Sequence, residues 1–150
     1  MIEIAERFDV SASPDQVWRI LADPYAVVGC VPGASIISRA DDGSLETALT
    51  VKFGPLSVAF QARAELELNE VTREGRITAR GRDKQGGARF QASASFGVTP
   101  SDTGSIVTTR GEVELSGRLA SMIETGAGVV VKRMSAEFAN CLRARCAAPA

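Results

Sequence analysis

The sequence predicts an α+β fold: a curved antiparallel sheet of about seven strands, two short helices after the first strand, and one long C-terminal helix. Three observations carry this expectation. Apolar and polar residues alternate through the middle of the chain, turn signals punctuate that alternation, and after Gly117 the apolar spacing changes to three, four and seven. At 150 residues the chain is expected to form a single ligand-binding domain over residues 1–150.

Each element follows in order. Ile2, Ile4, Phe8 and Val10 share one face of a first strand, Glu3, Arg7 and Asp9 take the other, and Glu6 is a carboxylate on the apolar side. In SASPDQVWRIL, Ser13 reads as an N-cap, Pro14 suits the first turn and Gln16 completes a capping box. A short helix over Pro14–Ala22 burying Val17, Trp18 and Leu21 is therefore expected. The next stretch, DPYAVVGCVPGAS, is too interrupted for a long helix and too apolar for an ordinary surface loop. It reads either as a short helix capping the core or as a movable lid. In the lid reading Tyr25, Val27, Val28, Val31 and Pro32 cover a ligand, and Gly29 and Gly33 act as hinges. An aromatic residue at Gly33 then impairs ligand uptake more than stability.

A strand, ASIISRA, leads into a meander. Asp42-Gly43 marks a hairpin, and SLETALTVKF turns inward Leu45, Thr47, Leu49, Val51 and Phe53 before Gly54-Pro55 turns the chain again. The cleanest alternation follows, with Leu56, Val58, Phe60, Ala62, Ala64, Leu66 and Leu68 on one face. TREG, KQGG and PSDTG separate three further strands, near 76–83, 88–98 and 105–115. Leu119, Ile123, Val130, Met134, Phe138 and Leu142 then mark a long amphipathic helix. Gly126 and Gly128, each costing about 1 kcal/mol against alanine, point to a bend or a close approach. The tail CAAPA is expected to fray.

The inward residues are small: Ala62, Ala64, Ala79, Ala92 and Ala94, with Gly81 and Gly111 nearby. Such a lining either lets the helix settle close or leaves a hollow that holds a ligand. On the second reading the cavity and lid candidates are Trp18, Tyr25, Val28, Val31, Pro32, Gly33, Phe53, Phe60, Ala62, Ala64, Ala79, Phe90, Ala92, Ala94, Ile123, Val130 and Met134. An apolar lining calls for an apolar ligand.

Composition narrows the chemistry. A net charge of −1 gives no general attraction to nucleic acid. The absence of histidine removes the usual general base and the commonest metal ligand. No nucleophile elbow, phosphate loop or metal-ligand spacing occurs, so no catalytic residue, metal or cofactor is assigned. Cys30, Cys141 and Cys146 match neither a zinc pattern nor a secreted framework and read as reduced cytoplasmic thiols, Cys30 the more accessible. Neither a signal peptide nor a membrane span is evident. Arg73, Arg76, Arg80, Arg82, Lys84 and Arg89 group on two strands and read as a charged outer face, open to an acidic partner or lipid headgroups. Glu6 and Arg110, if both project inward, form an ion pair or offer polar handles to a ligand.

Several motifs in order resemble the CoxG family of carbon monoxide dehydrogenase subunits. They are Trp18, Leu21 and Asp23-Pro24, then Cys30-Val31-Pro32-Gly33, Val51-Lys52-Phe53-Gly54-Pro55, Ser116-Gly117-Arg118-Leu119-Ala120, and Phe138. The resemblance runs from about Val10 to Leu142. It implies the START-like (SRPBCC) helix-grip fold, whose members enclose apolar ligands between sheet and helix. It also implies a non-catalytic accessory protein of molybdenum-containing hydroxylases, recruiting them to the cytoplasmic membrane face and handling an apolar redox partner such as menaquinone or another isoprenoid quinone. Family members often carry a C-terminal extension for membrane attachment, whereas this sequence stops at Ala150, which favours a soluble carrier or docking domain. The rival functions are an assembly or docking factor without ligand transfer, and a polyketide cyclase-like enzyme. The lack of histidine weighs against the latter.

Overall fold

The computed structural model describes residues 1–147. The chain order is β1 (Ile2–Val10), α1 (Pro14–Leu21), α2 (Pro24–Gly29), β2 (Ala34–Arg39), β3 (Leu45–Phe53), β4 (Leu56–Asn69), β5 (Glu74–Asp83), β6 (Arg89–Ser101), β7 (Gly104–Ser116) and α3 (Ala120–Ala147). The strands form one antiparallel sheet in the order β1-β7-β6-β5-β4-β3-β2. Consecutive strands from β2 to β7 are neighbours joined by short turns, and β1 returns to pair with the last strand. Among the described residues no helix is long and apolar enough to cross a membrane.

Local chemistry explains the boundaries. The Ser13 hydroxyl accepts the Gln16 N–H at 3.2 Å and Pro14 occupies the first turn, as a helix start requires. Gln16 does not close the expected capping box. Its side-chain amide donates instead to the Cys146 carbonyl at 2.7 Å, fastening α1 to the end of α3. Asp23 caps α2 by accepting the Tyr25 N–H at 3.0 Å. In the β2–β3 hairpin, Asp42 accepts both the N–H and the hydroxyl of Ser44, which hold its carboxyl below the usual carboxylate range, with Arg63 adding to the effect. The long helix runs through both glycines. Gly126 sits over Phe53, where an added Cβ would find ordinary contact at 3.5 Å, and Gly128 meets open space. Cys146 and Ala147 continue that helix rather than fraying, and residues 148–150 lie outside the described part.

The inner face of the sheet packs against α3 through two apolar clusters. One joins Val58, Phe60, Ala88 and Ile123, with Phe53, Phe90 and Leu119 against them. The other joins Val10, Val17, Trp18, Leu21, Val98, Val107, Leu142 and Cys146. Phe90 and Phe96 lie over Gly81 and Gly75, so their rings occupy space that side chains at those glycines would need. Arg76, Arg80, Arg82 and Arg89 fall on the outer face as expected, where Arg63 stands opposite Arg80 and Arg82 opposite Arg89. Lys84 instead lies in the β5–β6 turn, and Arg73, in the β4–β5 turn, reaches back to the Asp15 carboxylate on α1.

Two expectations are corrected here. Cys30 and Cys141 form a disulfide, with Cα atoms 5.4 Å apart, so they are not free thiols, and Cys30 is buried. The fold causes this by laying the end of α2 against α3, within disulfide reach. Arg110 does not meet Glu6: it pairs with Ala5 and is exposed on the outer face, while Glu6 is opposite Thr109 on the inner one.

Candidate functional site

A cavity of about 310 Å³ lies between the sheet, α2 and α3. Its floor comes from six strands: Ile4, Glu6 and Phe8 of β1, Val107 and Thr109 of β7, Ala94 and Phe96 of β6, Ile77 of β5, Ala64, Glu65 and Leu66 of β4, and Leu45 of β3. Leu21, Pro24, Val27, Val28 and Val31 roof it, and Met134, Ser135 and Phe138 of α3 close one wall. The small side chains at Ala64 and Ala94 keep the middle of the floor low. The lining is almost wholly apolar and contains no lysine or arginine.

Of the cavity and lid residues expected from sequence, six are brought together here: Val27, Val28, Val31, Ala64, Ala94 and Met134. The others lie elsewhere. Trp18 is buried beneath the cavity, its ring centroid 6.1 Å from that of Phe96, and its indole N–H donates to Glu70 at 2.6 Å. Tyr25 points away from the roof and is 55% exposed. Pro32 and Gly33 belong to the turn behind it. Phe53, Phe60, Phe90 and Ile123 form the apolar cluster at the other end of the sheet. Ala79 and Ala92 continue the cross-strand row from Ala64 without bordering the cavity, and Ala62 and Val130 are buried in packing. Sequence reading missed Pro24, Ser135 and Thr109, and left Phe138, Phe8 and Phe96 out of the cavity set. The helical spacing from Met134 to Phe138 was a usable signal for that wall.

The roof is fixed rather than loose. Cys30 caps α2, and its bond to Cys141 ties the roof to α3 one turn beyond Phe138. The Arg145 guanidinium reaches the Cys30 sulfur at 3.2 Å. Gly33 is an anchor, not a hinge: its φ is +78° and its carbonyl accepts the Thr50 N–H at 3.0 Å. The third cysteine, Cys146, is free and buried, and desolvation pushes its thiol pKa up. Native oxidised protein is therefore expected to react slowly with Ellman's reagent and quickly once unfolded in urea. Fast native labelling contradicts the burial.

Comparison with known proteins supports this architecture. A conserved protein from Geobacillus kaustophilus superposes with a TM-score of 0.83 at 18% identity, covering 97% of this chain and 95% of that one. A START superfamily protein from Mycobacterium smegmatis gives 0.58 at 21% identity, covering 96% of each. The Zhui aromatase/cyclase from Streptomyces sp. R1128 gives 0.61 at 18% identity, covering 97% of this chain and 93% of that one. At these identities the likeness is one of fold: START-like, a seven-stranded sheet with a long C-terminal helix. No functionally curated protein matches the chain. The sequence profile of the CoxG family of carbon monoxide dehydrogenase subunits matches residues 7–147, and the chain belongs to that family.

Proposed function

We propose that this protein is a non-catalytic accessory protein that holds an apolar small molecule in the sheet–helix cavity. The ligand is of the isoprenoid quinone class, menaquinone being one example. The partner is a molybdenum hydroxylase of the carbon monoxide dehydrogenase type, which the protein links to the membrane quinone pool from the cytoplasmic face. The observation that carries the reading is the apolar cavity of about 310 Å³, a volume at the lower end of ligand pockets. Membership of a family of dehydrogenase subunits supports the choice of partner.

Protein purified from a quinone-producing host is expected to release a prenylated quinone into organic solvent, detectable by mass spectrometry. Ala94→Phe is expected to weaken quinone binding at least tenfold while changing stability by about 1 kcal/mol or less, because the ring enters open space. Trp18, packed on the cavity wall residue Phe96, provides a fluorescence signal for the titration. No extracted quinone, together with equal binding by wild type and variant, sinks the carrier reading. Docking on the enzyme without ligand transfer then remains, and co-purification with the hydroxylase tests it.

A further inference from the structure

Glu6 is anomalous in the cavity. It projects from the inner face of β1 between Ile4 and Phe8, where every other inward residue of that strand is apolar. It takes part in none of the ion pairs among the described residues, and no basic side chain lines the cavity. Its cross-strand partner is Thr109, also in the lining, and the remaining polar members are Ser135 on the helix opposite and Glu65, which is exposed and alternates to the outer face of β4. A carboxylate facing an apolar space is costly unless something donates hydrogen bonds to it. Hydroxyls of Thr109 and Ser135 can donate or accept, but an ionised carboxylate only accepts.

We infer that Glu6, with Thr109 and Ser135, is a head-group site that selects ligands bearing a hydroxyl donor over analogues that present only acceptors. The assignment rests on the carrier reading and refines it. Applied to a quinone carrier, it means that the cavity favours the hydroquinone. The O–H of the reduced ring donates to Glu6, whereas the carbonyl of the oxidised ring sets an acceptor against an acceptor. A hydrogen bond to a charged group gives a preference of about ten- to hundredfold. An apolar molecule with an anionic head is disfavoured for the same reason, since its charge would meet Glu6 with no cation to separate them.

The test uses two matched sets read by Trp18 fluorescence and calorimetry. The first is 2-methyl-1,4-naphthoquinone, its hydroquinone prepared beforehand and kept anaerobic, and the dimethyl ether of that hydroquinone. The second is 1-decanol, decyl methyl ether and decanoate. Wild-type protein is expected to bind the hydroquinone and the alcohol at least tenfold more tightly than the other members of each set. Glu6→Gln, whose amide both donates and accepts, is expected to reduce either preference to about threefold or less, with an unchanged melting temperature. Thr109→Val is expected to give a smaller loss of preference and checks that Glu6→Gln has not merely perturbed the strand. Equal affinity across each set in the wild type overturns the head-group assignment and leaves the carrier reading standing. Preferences that survive Glu6→Gln also overturn it. Absence of binding by every member of both sets overturns both.

Discussion

Replacing Cys141 by serine lowers the stability of the fold by about 3–5 kcal/mol, the largest effect expected of any single substitution outside the core. The Cys30–Cys141 bond closes a loop spanning 111 residues, and a cross-link of that span removes much of the freedom of the unfolded chain. For a domain of this size the loss corresponds to a fall in melting temperature of about 10 °C or more. The same drop should follow reduction of the wild type by dithiothreitol, and urea melts of oxidised, reduced and C141S protein check both. A local signature should accompany it. The amides of Val27, Val28 and Cys30 are expected to exchange with deuterium faster once the bond is gone, because α2 buries no residue fully and depends on this tether. Identical melts for oxidised protein and C141S contradict the assignment.

Gly33→Ala is expected to cost about 3–4 kcal/mol, an effect out of proportion to one methyl group. Two penalties combine: the residue has a φ of +78°, and its Cβ would lie well inside van der Waals contact with the Thr50 carbonyl oxygen. That oxygen belongs to the β3 backbone, so relief means moving the strand or the turn. Larger residues suffer the same penalty, and an aromatic at Gly33 therefore reports on folding rather than on ligand entry. Denaturant titration of G33A against wild type measures the loss. A change below about 1 kcal/mol would mean that the turn has another accessible conformation.

The parts of this fold that a sequence reader can place are those where one face is uniformly apolar. Residues 56–69 alternate without interruption, and β4 has the register that alternation implies. The last helix likewise follows from Leu119, Ile123 and Leu142, although two glycines pointed to a bend or a close approach. Legibility fails where neighbours share a character. Ile106 and Val107 are adjacent and both apolar, so local sequence does not decide which points inward. One residue of register is all that separates the conditional pairing of Glu6 with Arg110 from the observed one with Thr109. The disulfide was hidden for a different reason, since proximity across 111 residues is a property of the sheet and helix together. The cavity was half legible. The small residues on its floor were visible as alanines, but which of them remain uncovered depends on where Phe90 and Phe96 swing their rings.

The order of the strands has a consequence for synthesis. β1 leaves the ribosome before every other strand of the sheet, yet its sheet neighbour, β7, is completed at Ser116. At about 5–20 residues per second, the first strand waits roughly 5–20 s with its hydrogen-bonding edge unsatisfied. The β2–β7 meander can assemble progressively in that interval, since every strand in it pairs with the one just made. Closure then comes late and from both ends at once, when β1 joins β7 and the Met1 ammonium reaches Glu124 on the final helix at 2.9 Å. Nascent chains stalled before Ser116 should thus carry an ordered meander and an unclaimed first strand, the form most exposed to chaperones and to pairing with a neighbour on the same message.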